Sequence, residues 1–179
     1  MKKTIIAVAL SAITFGANAS DKDESAYVFL GVANGSESTG WQATAGFDID
    51  ENFGFESTFH YNSDEYRSRY VNANMSWWMM SLTPVVHLDI NENIRLYGKG
   101  GFFFGGGTIK TSTYYSTDEY SDSTSGLAYG LGIDFMPVES GLSARIGIDW
   151  YNIGDVEVGD STVDAGTEKV VNFNIGYKF

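Results

Sequence analysis

The chain has 179 residues, with 11 basic and 23 acidic residues and no cysteine. This length suits a single domain. The formal net charge of −12 argues against nucleic acid as a partner, and the absence of cysteine excludes a disulfide framework.

The N-terminus predicts a secretory signal peptide. Two lysines precede a mostly apolar run over residues 4–15, and small residues lie at the positions that determine cleavage. We expect cleavage between Ala19 and Ser20, which leaves residues 20–179 as one domain with a net charge of −14 (9 − 23). No later apolar run has the length of a spanning helix, so a membrane-embedded chain has to be a closed barrel.

Eight stretches alternate between apolar and polar residues, which is the period of a strand with two different faces. The last is the clearest, because large apolar residues occupy every odd position from Val171 to Phe179. The predicted strands are residues 26–33, 40–48, 53–61, 70–89, 94–107, 127–135, 142–151 and 170–179.

Two of these strands are irregular. In the first, Tyr27 and Phe29 compete with Val28, Leu30 and Val32 as the apolar face, so its register stays open. In the fourth, the apolar positions change from odd to even numbers, which predicts a β-bulge near 80–83, beside Pro84.

The connections between the strands are of two kinds. Three short turns resemble one another, at residues 47–53, 88–94 and, more loosely, 133–141. The connections on the opposite rim are longer, at residues 34–39, 63–69, 111–125 and 155–169. This asymmetry is typical of outer-membrane barrels, so we predict an eight-stranded antiparallel up-and-down transmembrane β-barrel.

Alternation alone does not say which face points inward, since a soluble lipocalin also has eight strands. The polar face is rich in Gly, Ala and Ser, which suits a narrow interior, and the aromatic residues gather near strand ends as interface girdles do. Centring the turns places Trp41 opposite Tyr61 and Tyr129 opposite Trp150. We therefore expect the apolar face to contact lipid.

With its signal peptide, strand count, turn-and-loop asymmetry and C-terminal residues 174–179, the chain resembles the OmpA/OmpX-like eight-stranded outer-membrane barrels. The resemblance implies a monomer in the outer membrane of a Gram-negative bacterium, in contact with phospholipid and lipopolysaccharide. In that family an aromatic C-terminal strand is read by the barrel-assembly machinery, a role that falls here on Tyr177 and Phe179. Family members include adhesins, host-factor binders, membrane tethers and a few lipid-modifying enzymes.

The inward face carries charged residues whose positions predict ion pairs. Asp89 would lie near Arg95 across the second turn, and Asp134 near Arg145 across the third. Because buried charges persist only when they are paired, we interpret the network as a structural plug rather than a catalytic cluster. Its predicted members are Glu56, Asp89, Arg95, Lys99, Asp134 and Arg145.

No motif predicts a catalytic, cofactor or metal site. His60 and His87 are the only histidines, and no His-x-Ser pair exists for nucleophilic lipid chemistry. The glycines around Lys99 lack the order of a phosphate-binding loop, and the acidic residues of 155–164 lack the spacing of an EF-hand. A lipid-modifying enzyme and a narrow pore remain as alternatives.

The loops carry the predicted function. Tyr114, Tyr115 and Tyr120 lie among Ser, Thr, Asp and Glu, a mixture that binding loops favour. We therefore expect a non-enzymatic barrel whose loops contact a host or cell-surface partner or support the integrity of the envelope.

Overall fold

The structure, a computed structural model, describes residues 25–35, 38–67, 71–113, 117–136, 141–158, 161–164 and 166–179. Eight antiparallel strands close into an up-and-down barrel, and two short strands form a separate hairpin. The strands are β1 Ser25–Asn34, β2 Thr39–Asp48, β3 Phe53–Arg67, β4 Val71–Asn91, β5 Ile94–Thr113, β6 Thr117–Phe135, β7 Leu142–Asn152, β8 Asp155–Val158, β9 Ser161–Asp164 and β10 Thr167–Lys178.

The barrel has two different rims. At the turn rim, short connections join β2 to β3, β4 to β5 and β6 to β7. The first turn is closed by Asp50, whose carboxylate accepts hydrogen bonds from the backbone N–H groups of Asn52 and Phe53, both at 2.8 Å. An Asp or Asn at this position mimics a backbone turn. The opposite end, which we call the loop rim, carries the longer connections.

The side chains follow the predicted alternation. Leu30, Leu131 and Ile175 are more than half exposed on the outer wall, whereas Thr58, Arg145 and Asn174 are buried inside. The pairs Trp41–Tyr61 and Tyr129–Trp150 lie side by side on the outer wall, as the turn positions predict. No helix in the described part of the chain is long and apolar enough to cross a membrane.

The first strand, whose register the sequence leaves open, turns its aromatic residues inward. Tyr27 and Phe29 are buried in the lumen, while Leu30 and Val32 are exposed on the outer wall. A Cβ on Gly46 would meet the Tyr27 ring at 2.5 Å, so the missing side chain on β2 makes room for that ring.

The predicted β-bulge near 80–83 is wrong. β3 and β4 keep one register from Phe53–Val86 to Arg67–Asn72. The ladder of β4 with β5 omits the pairs of Thr83 and Pro84 but resumes in the same register, and the register shift in β4 lies between Asp89 and Asn91, beside the second turn. The change of parity in the sequence marks a change in what the lumen contains. Among the inward residues of β4, Met79 near the loop rim is apolar, whereas Ser81, Thr83 and His87 nearer the turn rim are polar, with Val85 between them.

Four neighbouring strands extend beyond the others at the loop rim. β6 pairs with β5 from Thr117 onward, but its pairing with β7 begins only at Leu127. Most of the predicted third loop is therefore strand, because β5 and β6 continue through it as a long hairpin. Part of the predicted fourth loop is also strand, in the hairpin of β8 and β9.

Candidate functional site

Arg145 lies at the centre of the charged part of the lumen. Its guanidinium donates to both oxygens of Asp134, at 2.6 and 2.8 Å, and also to Glu56. Glu56 is on β3 and Arg145 on β7, so this bond crosses the barrel. The forked guanidinium suits two carboxylates at once, because its five donors have a fixed planar geometry.

Aromatic rings surround the same guanidinium. Its central carbon lies 4.2 Å from the centre of the Tyr97 ring, 4.4 Å from that of Phe29 and 5.6 Å from that of Tyr27. Tyr27 also donates a hydrogen bond to Glu56 at 2.9 Å. Cation–π contacts of this kind strengthen when water is excluded, so the rings and the carboxylates jointly hold the Arg145 guanidinium in place.

Lys99 extends this network towards the loop rim. Its ammonium lies 3.0 Å from Asp149 and 3.5 Å from Glu56. Asn172 donates to the other oxygen of Asp149 at 2.9 Å, and Asn174 donates to Asn172 at 3.0 Å. The Lys99 ammonium therefore contacts two carboxylates, and the Asn172 amide holds the carboxylate of Asp149 in place.

A second cluster, centred on Asp48, lies near the turn rim. Lys178 and Arg95 donate to one oxygen of Asp48 at 2.8 and 3.1 Å, and the Nε2 atom of His87 lies 3.1 Å from the other. Arg95 also donates to Asp89 at 2.6 Å. The predicted pair of Asp89 with Arg95 is present, and Arg95 has a second, more deeply buried partner in Asp48.

The loop-side half of the lumen contains an apolar cluster beside the buried polar residues Gln42, His60 and Asn62. Phe103 and Tyr151 pack edge to face, with ring centres 5.3 Å apart. Trp77 and Ile153 pack against this cluster. Its buried members are Ala33, Met79, Phe103, Ala128, Tyr151 and Val170. This apolar layer was missed because its residues come from six strands and no single strand shows it.

His60 lies in this loop-side half, on β3. It is fully buried, and its ring stacks on Trp77 with centres 4.7 Å apart. Neither ring nitrogen has a hydrogen-bond partner among the described residues. A His that acts as a general base needs a partner within hydrogen-bond reach, and the described structure places none beside it.

The part of β3–β6 beyond the loop rim forms a sheet with two open edges, which we call the loop-side sheet. Among the described residues, the ladder of β2 with β3 ends at Tyr61 and that of β6 with β7 begins only at Leu127. Residues 117–126 of β6 therefore have no ladder partner on the β7 side, although the Thr124 hydroxyl donates to the Ile153 carbonyl at 3.5 Å. Those ten residues of β6 extend over roughly 33 Å at about 3.3 Å per residue. An unpaired strand edge presents backbone donors and acceptors to a partner.

The remaining predicted residues are placed as follows. Tyr120 lies in β6 opposite Ile109, on the loop-side sheet. Tyr177 and Phe179 lie on the outer wall at the turn rim with ring centres 5.1 Å apart, and the Phe179 N–H donates to the Ala26 carbonyl at 2.8 Å. Tyr114, Tyr115, Ala19 and Ser20 lie outside the described residues.

Comparison with known proteins identifies this architecture. A family model described as the outer membrane protein beta-barrel domain matches residues 5–179. The chain belongs to this family. It is a protein of the outer membrane, and its strands cross the bilayer as an eight-stranded barrel. No curated protein sequence gives a match.

Solved structures with similar folds come from several bacteria. Ail, the attachment invasion locus protein of Yersinia pestis, solved in complex with the heparin analogue sucrose octasulfate, is 18% identical, with a TM-score of 0.65 over 88% of this chain and 99% of that one. A major outer membrane protein of Thermus thermophilus is 14% identical, with a TM-score of 0.64 and coverage of 87% and 99%. Neisserial surface protein A is 12% identical, with a TM-score of 0.60 and coverage of 87% and 97%.

Proposed function

We propose that this protein is a non-enzymatic surface-interaction barrel that presents the loop-side sheet to a partner outside the cell. The observation that carries the proposal is that residues 117–126 of β6, which pair with β5, have no ladder partner on their other side among the described residues. An extended segment of a partner protein would add a strand there, with backbone hydrogen bonds supplying affinity and side chains supplying selectivity.

The negative charge of the loop-side segments restricts the kinds of partner that can bind there. Residues 34–39, 62–70, 106–126 and 153–169 contain 11 acidic and 4 basic residues, a net charge of −7 (4 − 11). Ail was solved with a sulfated sugar, but an acidic surface repels such a polyanion. The partner of this protein is therefore a neutral or basic protein segment.

Two observations support the non-enzymatic part of the proposal. The buried carboxylates Glu56, Asp134 and Asp149 are engaged by Arg145 and Lys99 in a structural network of ion pairs. His60 stacks on Trp77, and neither of its ring nitrogens has a hydrogen-bond partner in the part of the chain that the structure describes. Such a lumen suits a plug that holds the barrel walls together.

The roles of the two chain ends are also part of this proposal. Cleavage between Ala19 and Ser20 would direct the mature chain to the periplasm. Tyr177 and Phe179 would then be recognised by the barrel-assembly machinery, since both rings lie on the outer wall next to the last residues of the closing strand. We expect the inserted protein to be a monomer surrounded by phospholipid and lipopolysaccharide.

The test replaces Tyr114, Tyr115 and Tyr120 together with Ser and measures adhesion of expressing bacteria to host cells. We expect adhesion to fall by about tenfold, because interface tyrosines carry much of the binding energy, while the heat-modifiable folded form persists. Tyr66→Ser, on the opposite edge of the same sheet, is the matched control and should change adhesion little.

Two outcomes would contradict the proposal. If adhesion is the same with and without the whole barrel, the protein does not bind a surface partner and an envelope role becomes the better interpretation. If Tyr66→Ser reduces adhesion and the triple variant does not, the edge of β6 is not the contact.

A further inference from the structure

The inner face of the loop-side sheet, which continues the lumen wall, has a gap between a tryptophan and a carboxylate. The ladders align four residues of β3, β4, β5 and β6 in one row, namely Asn62, Trp77, Gly107 and Asp122. Direct cross-strand neighbours share a face, and Asn62 follows the inward His60 by two residues, so the row lies on the inner face. Apart from its chain neighbours, a Cβ atom on Gly107 would meet no atom closer than 3.8 Å. The row therefore has open space between Trp77 and Asp122.

The indole of Trp77 forms one wall of this gap. His60 stacks on it with ring centres 4.7 Å apart, which supports the indole from below. Trp77 is only partly buried against the apolar cluster. Its neighbour on β5 is Gly107, so that position carries no side chain to cover the indole. A supported and partly exposed indole attracts a cation that is placed over its face.

The carboxylate of Asp122 forms the other wall. This side chain is exposed, and its Oδ1 atom accepts a hydrogen bond from the Ser123 N–H at 2.7 Å. Within the described ranges, no lysine, arginine or histidine forms an ion pair with Asp122. An anion and an aromatic face therefore lie on either side of a space that no cation of the described chain occupies.

The next strand of the chain itself is unsuited to the edge of β6 at this position. Extending the ladder of β7 with β6 by five pairs beyond Leu127–Asn152 (127 − 5 and 152 + 5) would set Glu157 opposite Asp122. Like charges directly opposite each other destabilise a sheet, whereas opposite charges stabilise it. The chain instead turns at Gly154, where φ is +66°, and β8 pairs with β9. The position opposite Asp122 therefore favours a cation from another chain.

We propose that this gap is an arginine-binding site, and that the segment added to β6 carries an arginine opposite Asp122. The inference rests on the proposed function, because it names one residue of the strand that β6 receives. That strand would lie about 4.8 Å from β6 and roughly 10 Å from β5. An extended arginine side chain covers most of the second distance, so its guanidinium lies over Asp122 and faces Trp77. A planar guanidinium stacks on an indole and forks onto a carboxylate, which a lysine ammonium does not do.

The experiment compares two synthetic peptides that differ by one charge. Both are threonine-rich and match residues 117–126 in length, with either arginine or its neutral isostere citrulline at the centre. Binding to the protein in nanodiscs is measured by fluorescence anisotropy of a label on the peptide. The wild type should bind the arginine peptide at least about tenfold more tightly than the citrulline peptide.

Two variants and one control locate the site. Asp122→Asn keeps an acceptor for the Ser123 N–H but should remove most of the preference for arginine. Gly107→Thr leaves the charge unchanged and fills the gap, so it should also remove the preference. Glu119→Gln is the matched control, since it removes a carboxylate from the opposite face of β6 and should change the preference by less than about twofold.

Equal affinities of the two peptides for the wild type would overturn the arginine site and leave strand addition at β6 standing. A preference for arginine that persists in Asp122→Asn and in Gly107→Thr would also overturn it, because the cation would then bind elsewhere. If neither peptide binds, the site is overturned as well, and the adhesion of the triple tyrosine variant decides the proposed function separately.

Discussion

The two halves of the lumen fill the same narrow space by different means. Near the turn rim, Arg145, Lys99 and Asp48 hold together residues from distant strands through ion pairs. Near the loop rim, Phe103 and Tyr151 fill the space by packing. An eight-stranded barrel is just wide enough for side chains to fill it, so either solution closes the interior.

The difference shows what each half contributes. Ion pairs are directional, and the bond from Arg145 to Glu56 restrains β7 against β3 across the barrel. Apolar packing has no fixed direction and tolerates a change of shape at a smaller cost. The charged half therefore restrains how the walls are arranged, whereas the apolar cluster occupies the loop-side half of the lumen.

The largest expected effect comes from the charged half. Arg145→Ala should lower the free energy of unfolding by about 3–5 kcal/mol, because Glu56 and Asp134 lose a cation that they share in a buried site. Urea unfolding in lipid bilayers measures this loss. In a protein that carries Arg145→Met, neutralising both carboxylates with Glu56→Gln and Asp134→Asn should restore much of the lost free energy of unfolding. An unchanged midpoint for Arg145→Ala would mean that these pairs contribute nothing.

A smaller effect is expected in the apolar half, where two adjacent phenylalanines face opposite sides of the wall. Phe103→Leu should cost about 1–2 kcal/mol, because the edge-to-face contact with Tyr151 is lost and a small void remains. Phe102→Leu faces lipid and should change stability by less than about 0.5 kcal/mol. Equal effects in the same unfolding assay would show that the lumen is loosely packed at this level.

The smallest effect is expected at the edge of the charged half. The Asp89 side chain is 50% exposed, so water screens its ion pair with Arg95. Asp89→Asn should cost less than about 1 kcal/mol. Because the Debye length falls to about 3 Å at 1 M salt, this cost should nearly disappear there, while that of Asp134→Asn persists. A large, salt-independent cost for Asp89→Asn would show that the turn rim is as protected from water as the middle of the lumen.

Much of the barrel follows from local sequence. The short turns fix the register of their hairpins, so Trp41–Tyr61, Asp89–Arg95 and Asp134–Arg145 could be predicted by counting outward from each turn. Pairs cannot be predicted in this way where a long connection joins two strands. The long hairpin of β5 and β6 is an example, because its residues read as a polar loop. The register of β1 stays open in the sequence for another reason, since its inward residues Tyr27 and Phe29 are as apolar as its outward ones.

The error in β4 has a different origin. A bulge is a sensible explanation for a change of parity if one face of a strand is taken to be polar throughout. In the barrel, however, Met79 and Ser81 both point inward, one to the apolar layer and the other towards the polar half. The change of environment lies along the lumen, and β4 keeps its register with both neighbours through this region, so no inserted residue is needed.

By itself the sequence determined the strand period, the outward apolar face, the three tight turns and the pairs next to them, because these depend on residues that are close along the chain. The tertiary structure alone decided which inward side chains meet across the lumen. Glu56 reaches Arg145, Lys178 reaches Asp48, and six strands together build the apolar layer. These contacts depend on the closure and stagger of the whole barrel, which the alternation within any one strand does not contain.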